Sequence, residues 1–375
     1  MGSNTPPERW SDDFLDTMRG IGDPVADGAV RKVYEGGLLG PANQLLQLLV
    51  RNDQLPMSEL PPGLRDYLHA TGTLPPWADR AKIRRGEEIF GQYAAQVVTA
   101  LLCASLPLAY AARRGVQVLH RAARLETNPR RRIVETAQLV VDVMARGGLE
   151  PNGAGVRDVQ KVRLLHAAVR YLIGHSGPWD QAGLGLPINQ EDMAGTVFTF
   201  SHVVLESLGK LGVSLSAADE EAYLHVWNVI GHLLGVDERL LAHDMSQARE
   251  LRARIERRQF AASPEGRDLT KALIDYMEYM LPGTAFDGMP AMLVRYLAGN
   301  QVADLLGVAA GTDWTRHLRG PLGWLVGEAS LAEGESRAFA RLCELFSRKL
   351  VEGLLFVERG PERVPFRLPA ELRQG

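Results

Sequence analysis

A histidine set between two arginines is the pattern in this sequence best suited to chemistry. In Val162-Arg163-Leu164-Leu165-His166-Ala167-Ala168-Val169-Arg170, Arg163 stands three residues before His166 and Arg170 four after it. At 3.6 residues per turn these offsets return to one helix face, so the three side chains are expected to project the same way. Two guanidinium groups that stay charged raise the cost of protonating the imidazole between them, which leaves a ring nitrogen free to bind a metal. Paired arginines also suit two carboxylate anions. The combination fits an iron porphyrin, with His166 as axial ligand and Arg163 and Arg170 clamping its propionates. The competing reading is a core histidine on an amphipathic helix whose arginines face water.

A second polar face precedes the first. Arg132, Glu135 and Thr136 share a helix face at the start of the preceding segment, by the same spacing. If the two helices pack antiparallel, this face lies opposite His166 with a flat cofactor between. A distal pocket needs only a few polar groups in an apolar shell to orient oxygen or move a proton. The alternative is a solvated basic start at Arg130–Arg132 and a surface pair at Glu135-Thr136. Other histidines are weaker candidates. His225 and His232 lie two turns apart on a Trp-containing helix, where packed histidines are common, and His202 follows an aromatic cluster, Phe198-Thr199-Phe200. Asp66-Tyr67-Leu68-His69 has ligand-like spacing, but no Glu-x-x-His helices accompany it, which disfavours a di-iron bundle. Usable GxSxG, P-loop, HExxH, Rossmann and nucleic-acid motifs are absent from the sequence.

The elements that must position these residues read as helices almost throughout. Apolar residues recur at i, i+3, i+4 and i+7 over 79–101, 105–124, 129–147, 156–175, 190–211, 217–234, 236–258, 266–280, 287–306 and 321–353. Asn189 reads as an N-cap and Gly147-Gly148 as a helix stop, while His175 to Pro187 is a Gly- and Pro-rich loop carrying Trp179. With short connections and no internal repeat, one large all-α domain is expected. Residues 1–78 are expected to pack as N-terminal helices and loops on a core at 79–355, with 356–375 as a tail. The longest apolar run, Ala94 to Ala112, contains Gln96, Thr99, Ser105 and Pro107, and is expected to be a buried helix kinked at Pro107 rather than a membrane span.

Bulk properties narrow the partners. A net charge of −3 over 375 residues supplies no field for nucleic acid or an anionic membrane. Cys103 and Cys343 are the only cysteines and form no CxxCH, so a haem would be held non-covalently. The N-terminus shows no basic and apolar signal pattern, and Met1-Gly2-Ser3 reads like a cloning start that replaced one.

Five short runs in order carry a family resemblance over most of the chain. They are Gly22-Asp23-Pro24-Val25-Ala26-Asp27, Leu74-Pro75-Pro76-Trp77-Ala78-Asp79, Arg163-x-x-His166-x-x-x-Arg170 with Arg132-x-x-x-Thr136 upstream, Trp227 to Val236, and Arg295-Tyr296-Leu297-Ala298-Gly299. In these the chain resembles the latex clearing proteins, rubber oxygenases within the MpaB-like oxygenase group. The resemblance implies a globin-like helical core with additional helices around it, holding a non-covalent haem b. His166 matches the proximal iron ligand, Arg163, Arg170 and Arg295 match haem-adjacent arginines, and Arg132 and Thr136 match distal positions. Members with a distal lysine carry Arg-x-x-Lys-Thr. Glu135 stands where that lysine would be, so lysine ligation of the sixth iron position is not expected.

The implied reaction is dioxygenase cleavage of C=C bonds in cis-1,4-polyisoprene by O2, leaving aldehyde and ketone ends. Glu135 would act as an allylic base, its pKa raised by burial, with Thr136 and Arg132 orienting oxygen or the haem. A secreted monomer is expected, since the polymer is too large to import. The remaining readings are an MpaB-like oxygenase acting on a smaller isoprenoid or terpenoid, and a cofactor-free helical binding protein.

Overall fold

Side-chain caps punctuate the chain into helices. Ser11, Asp23, Asp79, Asn189, Ser216, Asp244 and Ser263 each accept a hydrogen bond from an otherwise orphaned backbone N–H in the first turn that follows. The computed structural model describes residues 9–54, 58–125, 129–281, 286–309, 335–357 and 367–370. Four helices lead in: α1 Asp12–Arg19, α2 Pro24–Glu35, α3 Leu39–Leu48 and α4 Pro62–Ala70. The middle of the chain holds α5 Arg80–Gln92, α6 Ala94–Ala100, α7 Leu106–Ala111, α8 Val116–Leu125, α9 Pro129–Met144 and α10 Gly155–His175. Then come α11 Gln181–Leu184, α12 Gln190–Phe200, α13 His202–Lys210, α14 Ala217–Leu233 and α15 Met245–Gln259. The last are α16 Pro264–Met280, α17 Met289–Ala298, α18 Asn300–Leu305 and α19 Glu335–Val357. Among the described residues the only β pairing is an isolated bridge between Ala112 and Phe260. The fold is all-α.

Several expected long helices are broken. The 79–101 pattern divides at Tyr93, 190–211 at Ser201 and 287–306 at Gly299, whose φ of +94° no helix accommodates. The expected kink at Pro107 takes a different form. Leu101–Ser105 widens into a π-turn, with the Leu106 N–H bonded to the Leu101 carbonyl, just before the residue that lacks an N–H. This apolar stretch lies inside the protein, with Leu102, Cys103, Ala104, Leu108 and Ala111 each at most 5% exposed.

Helix α10 is the element around which the site is organised. Its Leu164, Ala167 and Ala168 enter a cluster with Val30, Val33 and Leu46 of α2 and α3 and with Leu64 and Leu68 of α4. Val156 and Val159 enter another with Val140, Val143 and Met144 of α9 and with α5 and α14. Val169 and Ile173 meet Val118 of α8. Each such aliphatic side chain contributes about 1.5–3 kcal/mol when fully buried, so α10 is fixed on three sides.

Candidate functional site

Arg163 and Arg170 of α10 both reach α2, and both meet carboxylates there. Arg163 donates from Nε and Nη2 to the two oxygens of Asp23, at 2.5 and 2.9 Å, and from Nη1 to the Leu233 carbonyl at 3.2 Å. Burial opposes the guanidinium charge, yet the bonds to Asp23 more than offset this and hold its pKa above the ordinary value. The same approach explains Gly235 (φ +85°), since a Cβ there would lie 2.6 Å from the Arg163 guanidinium carbon. Arg170 donates from Nε to Asp27 at 2.8 Å and from Nη1 to the Ile188 carbonyl at 3.0 Å. Its Nη2 is buried and has no hydrogen-bond partner. Each of the three Arg163 nitrogens is thus engaged by the polypeptide, which ties α10 to α2. Arg170 keeps one enclosed donor.

Helices α9 and α10 form a hairpin through 145–154. Its glycines allow a close crossing: a Cβ on Gly148 would meet the Asp142 carbonyl at 2.3 Å, and one on Gly155 the Val143 Cα at 2.9 Å. Asn52 staples the turn, donating to the carbonyls of Gly148 and Glu150 and accepting from the Arg157 N–H. Counting nine residues back from Met144 and nine forward from Gly155 sets Glu135 level with Leu164, within a turn of His166.

At that level both helices are only partly buried. Every residue from Ile133 to Leu139 is partly exposed, Glu135 and Thr136 among them, whereas Val140, Val143 and Met144 one turn on are at most 2% exposed. Val162, Arg163, Leu165 and His166 are partly exposed as well, while Leu164, Ala167 and Ala168 on the opposite face of α10 are closed off. A helix lying on a filled core has an inner face without water. Partial exposure all round α9 and along one side of α10 is the pattern of two walls of a slot. His166 stands on its wall half-buried, with Nδ1 fully enclosed. Arg132 lies on α9, but its side chain is outside the described residues.

Comparison with known proteins places this hairpin in a family. The model of the catalytic domain of "ER-bound oxygenase mpaB/B'/Rubber oxygenase" matches residues 83–328, a span that contains both helices of the slot. The chain belongs to this oxygenase family. It is 31% identical over 293 residues, 77% of this chain and 71% of the relative, to the rubber oxygenase of Streptomyces sp. (strain K30). It also superposes on latex clearing protein in the closed state with a TM-score of 0.77 and 27% identity, covering 94% of this chain and 95% of that one.

The remaining candidates of this oxygenase sequence fall elsewhere. Arg295 donates to the Ala309 and Val308 carbonyls, to Asn300 and, at 2.7 Å, to Asp304. It ties α17 to α18 and the turn beyond. His225 and His232 pack edge-on against Trp77 at 5.8 and 5.9 Å, joined there by His243. His225 accepts from the Asp79 N–H, and His232 faces Glu238 at 3.3 Å. His202 is buried beside Arg252 and Glu206, and His69 is exposed. Among the described residues no group of three or more His, Cys, Asp or Glu is placed to hold a metal ion.

The sequence pattern alone assigns no role to the Gly22–Asp27 run. Its Asp23 and Asp27 are the partners of Arg163 and Arg170. Their spacing of four, against seven between the arginines, was the available signal, since both pairs mark single helix faces.

Proposed function

We propose that this oxygenase is a haem b-dependent dioxygenase that cleaves the C=C bonds of cis-1,4-polyisoprene into oligo-isoprenoids with aldehyde and ketone ends. The observation that carries the reading is a half-buried His166 on α10 beside the half-buried Glu135 and Thr136 of the neighbouring α9, which we read as two walls of a slot. The residues present fit a haem. The slot has one imidazole, walls rich in Ile, Val, Leu and Ala, and an enclosed Arg170 Nη2 whose missing acceptor a propionate oxygen would supply. His166 would hold the iron, and Arg170 one propionate. A bound haem supplies the dioxygen chemistry that the protein's own side chains lack.

The chain's own groups orient and move protons. The Glu135 carboxylate, at the level of His166 on the facing helix, takes an allylic proton from the substrate and returns it to product. The balance needs no net proton, because one C=C bond and one O2 give one aldehyde and one ketone. Thr136 and Arg132 orient the oxygen or the haem beside it. The substrate has no polar handle, so selection rests on apolar shape. Because the polymer cannot enter a cell, the same reading places the enzyme outside it. Similarity to a rubber oxygenase and to latex clearing protein supports this substrate. The family description names mpaB beside rubber oxygenase, and the second reading is an MpaB-like oxygenase acting on a smaller isoprenoid or terpenoid.

The test is a visible spectrum of protein purified from cells supplied with a haem precursor. A haem spectrum is expected, with the pigment extractable by acid organic solvent. His166→Ala is expected to abolish haem retention with helical circular dichroism intact. Protein free of iron and porphyrin would sink the reading, and full haem occupancy in the variant would move the ligand elsewhere. Products from polyisoprene latex and from a short isoprenoid, compared side by side, separate the two substrates.

A further inference from the structure

We propose that α2 and α3 form a docking site for an extended Leu-Pro segment, that Arg367–Ala370 occupies it as a detachable strap, and that the strap sets how firmly α2 grips the back of α10.

The strap is recognised in three ways. Asn43 of α3 reads the backbone of one residue in both directions: its Nδ2 donates to the Leu368 carbonyl at 3.1 Å, and the Leu368 N–H donates to its Oδ1 at 2.7 Å. The Leu368 side chain, 2% exposed, enters the cluster of Val30 and Val33 of α2, Leu46 of α3 and Leu164, Ala167 and Ala168 of α10. The hydroxyl of Tyr34, on the last turn of α2, donates to the Pro369 carbonyl. Burial holds the pKa of that hydroxyl above its ordinary value, so it stays a donor. The strap's own sequence suits the seat. A residue before proline is confined largely to extended backbone, so Leu368 is set for its two-way bond to Asn43 before it docks. Pro369 brings no N–H that would need a partner.

The position of the seat says what docking does. Among the described residues, Leu368 is the only contributor to that cluster from beyond Tyr171. Residues 358–366 join the strap to α19, which is anchored in a different cluster through Ala338, Leu342, Phe346 and Leu350. The strap therefore links two separate parts of the core. It docks behind α10, on the side of Leu164, Ala167 and Ala168, away from the face that carries His166. The helix it presses on, α2, supplies Asp23 and Asp27 to Arg163 and Arg170. At the other end of α2, Tyr34 stacks on Tyr171 of α10 with ring centroids 4.7 Å apart. Seating the strap on Tyr34 secures that end.

The seat is light enough to open. One buried side chain and the three hydrogen bonds to Asn43 and Tyr34 stand against the backbone freedom of the segment, and Arg367 and Ala370 on either side are exposed. Joined to α19, the strap docks intramolecularly, at an effective concentration in the millimolar range. It is seated in the intact chain, yet lifts without unfolding the helices beneath.

The test compares wild type with Leu368→Asp, in the full chain, by hydrogen exchange and mass spectrometry. Exchange across α2 and α3 is expected to rise about tenfold in the variant, while α14 and α16 keep wild-type protection. A capped peptide of residues 365–372, Pro-Phe-Arg-Leu-Pro-Ala-Glu-Leu, at about 5 mM should restore that protection, and the same peptide carrying Leu368→Asp should not. Unchanged exchange in α2 and α3 overturns the proposal, as does an equal rise through the whole chain or a peptide without effect. Should Leu368→Asp fail to fold, Asn43→Ala removes both backbone bonds without placing a charge in the cluster, and wild-type exchange there would overturn the proposal. A separate arm rests on the haem reading above. Transfer of haem to excess apomyoglobin should be several-fold faster from Leu368→Asp, and an equal rate would overturn the link to α10. Exchange needs no haem, so if that reading fails the first arm still decides.

Discussion

Breaking the Asp23–Arg163 pair should reveal whether α10 is held by the polypeptide or by what it binds. Asp23 is 2% exposed, the Arg163 side chain 11%, and the pair is bidentate. Asp23→Ala leaves a buried guanidinium with one remaining carbonyl partner, a loss of about 3–5 kcal/mol. It also removes the α2 cap, in which Asp23 accepts from the Ala26 N–H, worth about 1 kcal/mol. The two effects share one side chain and do not simply add, so the expected total is about 4 kcal/mol. A chain of this length has an unfolding entropy of roughly 0.8 kcal/mol per kelvin, which converts the loss to a fall in Tm of about 5 °C.

Thermal unfolding followed by far-UV circular dichroism measures this, and the double variant Asp23→Ala/Arg163→Met supplies the decisive arm. Replacing both charges by apolar groups should recover most of the stability lost in the single variant, because the cost arises from the unpaired guanidinium. A Met side chain can also follow the Arg163 stem past Gly235. A shift in Asp23→Ala below about 1 °C would refute the reasoning, as would a double variant no more stable than the single one. If the double variant melts normally but cannot retain haem, Arg163 serves the cofactor and its bond to Asp23 is secondary.

Glu135→Gln should lower turnover on polyisoprene while leaving haem content and spectrum in place, and unchanged turnover would reject the base role. The pH dependence of stability should carry a signature of His202. Its burial between α13 and α15, partly opposed by Glu206 and reinforced by Arg252 and Arg249, lowers its pKa to about 4 from 6.5. In the unfolded chain His202 takes up its proton near the higher value and in the folded one near the lower, so the unfolded state binds more protons between them. Stability should therefore fall as pH is lowered from 6.5 toward 4, and more gently in His202→Gln. Parallel melting curves for the two proteins across that window would exclude the histidine as the cause.

How much of this was legible in the sequence depended on whether the signal was local. The boundaries of α10 (Gly155–His175) nearly match the expected 156–175, because its periodicity is bounded by glycines, and the Asn189 cap is where it was read. The breaks at Tyr93 and Ser201 were not legible, since the apolar spacing continues across them. The π-turn was hidden for a related reason: a proline announces a missing N–H, not how the preceding turn absorbs it. Spacing correctly grouped Arg163 and Arg170 on the side of α10 that faces α2. It could not say what faced them, because Asp23 and Asp27 lie 140 and 143 residues away along the chain. The same blindness applied to Arg295, whose bonds to Asp304 and to the Val308 and Ala309 carbonyls no spacing announced.

These long-range ties bear on how the site can have been built. The groups that fix α10 are the aspartates of α2, the glycines of the α9–α10 crossing, Asn52 at its turn and the Leu164, Ala167 and Ala168 face in the core. None of them involves His166. The histidine therefore sits on a helix whose position does not depend on what the imidazole binds, which is the condition for a preorganised ligand. It follows that loss of the imidazole should cost the cofactor and spare the fold. By the same logic the opposite wall is free to vary: α9 is anchored through Val140, Val143 and Met144, below the slot. A change of side chain at Glu135 would alter the chemistry of that wall without touching what holds it.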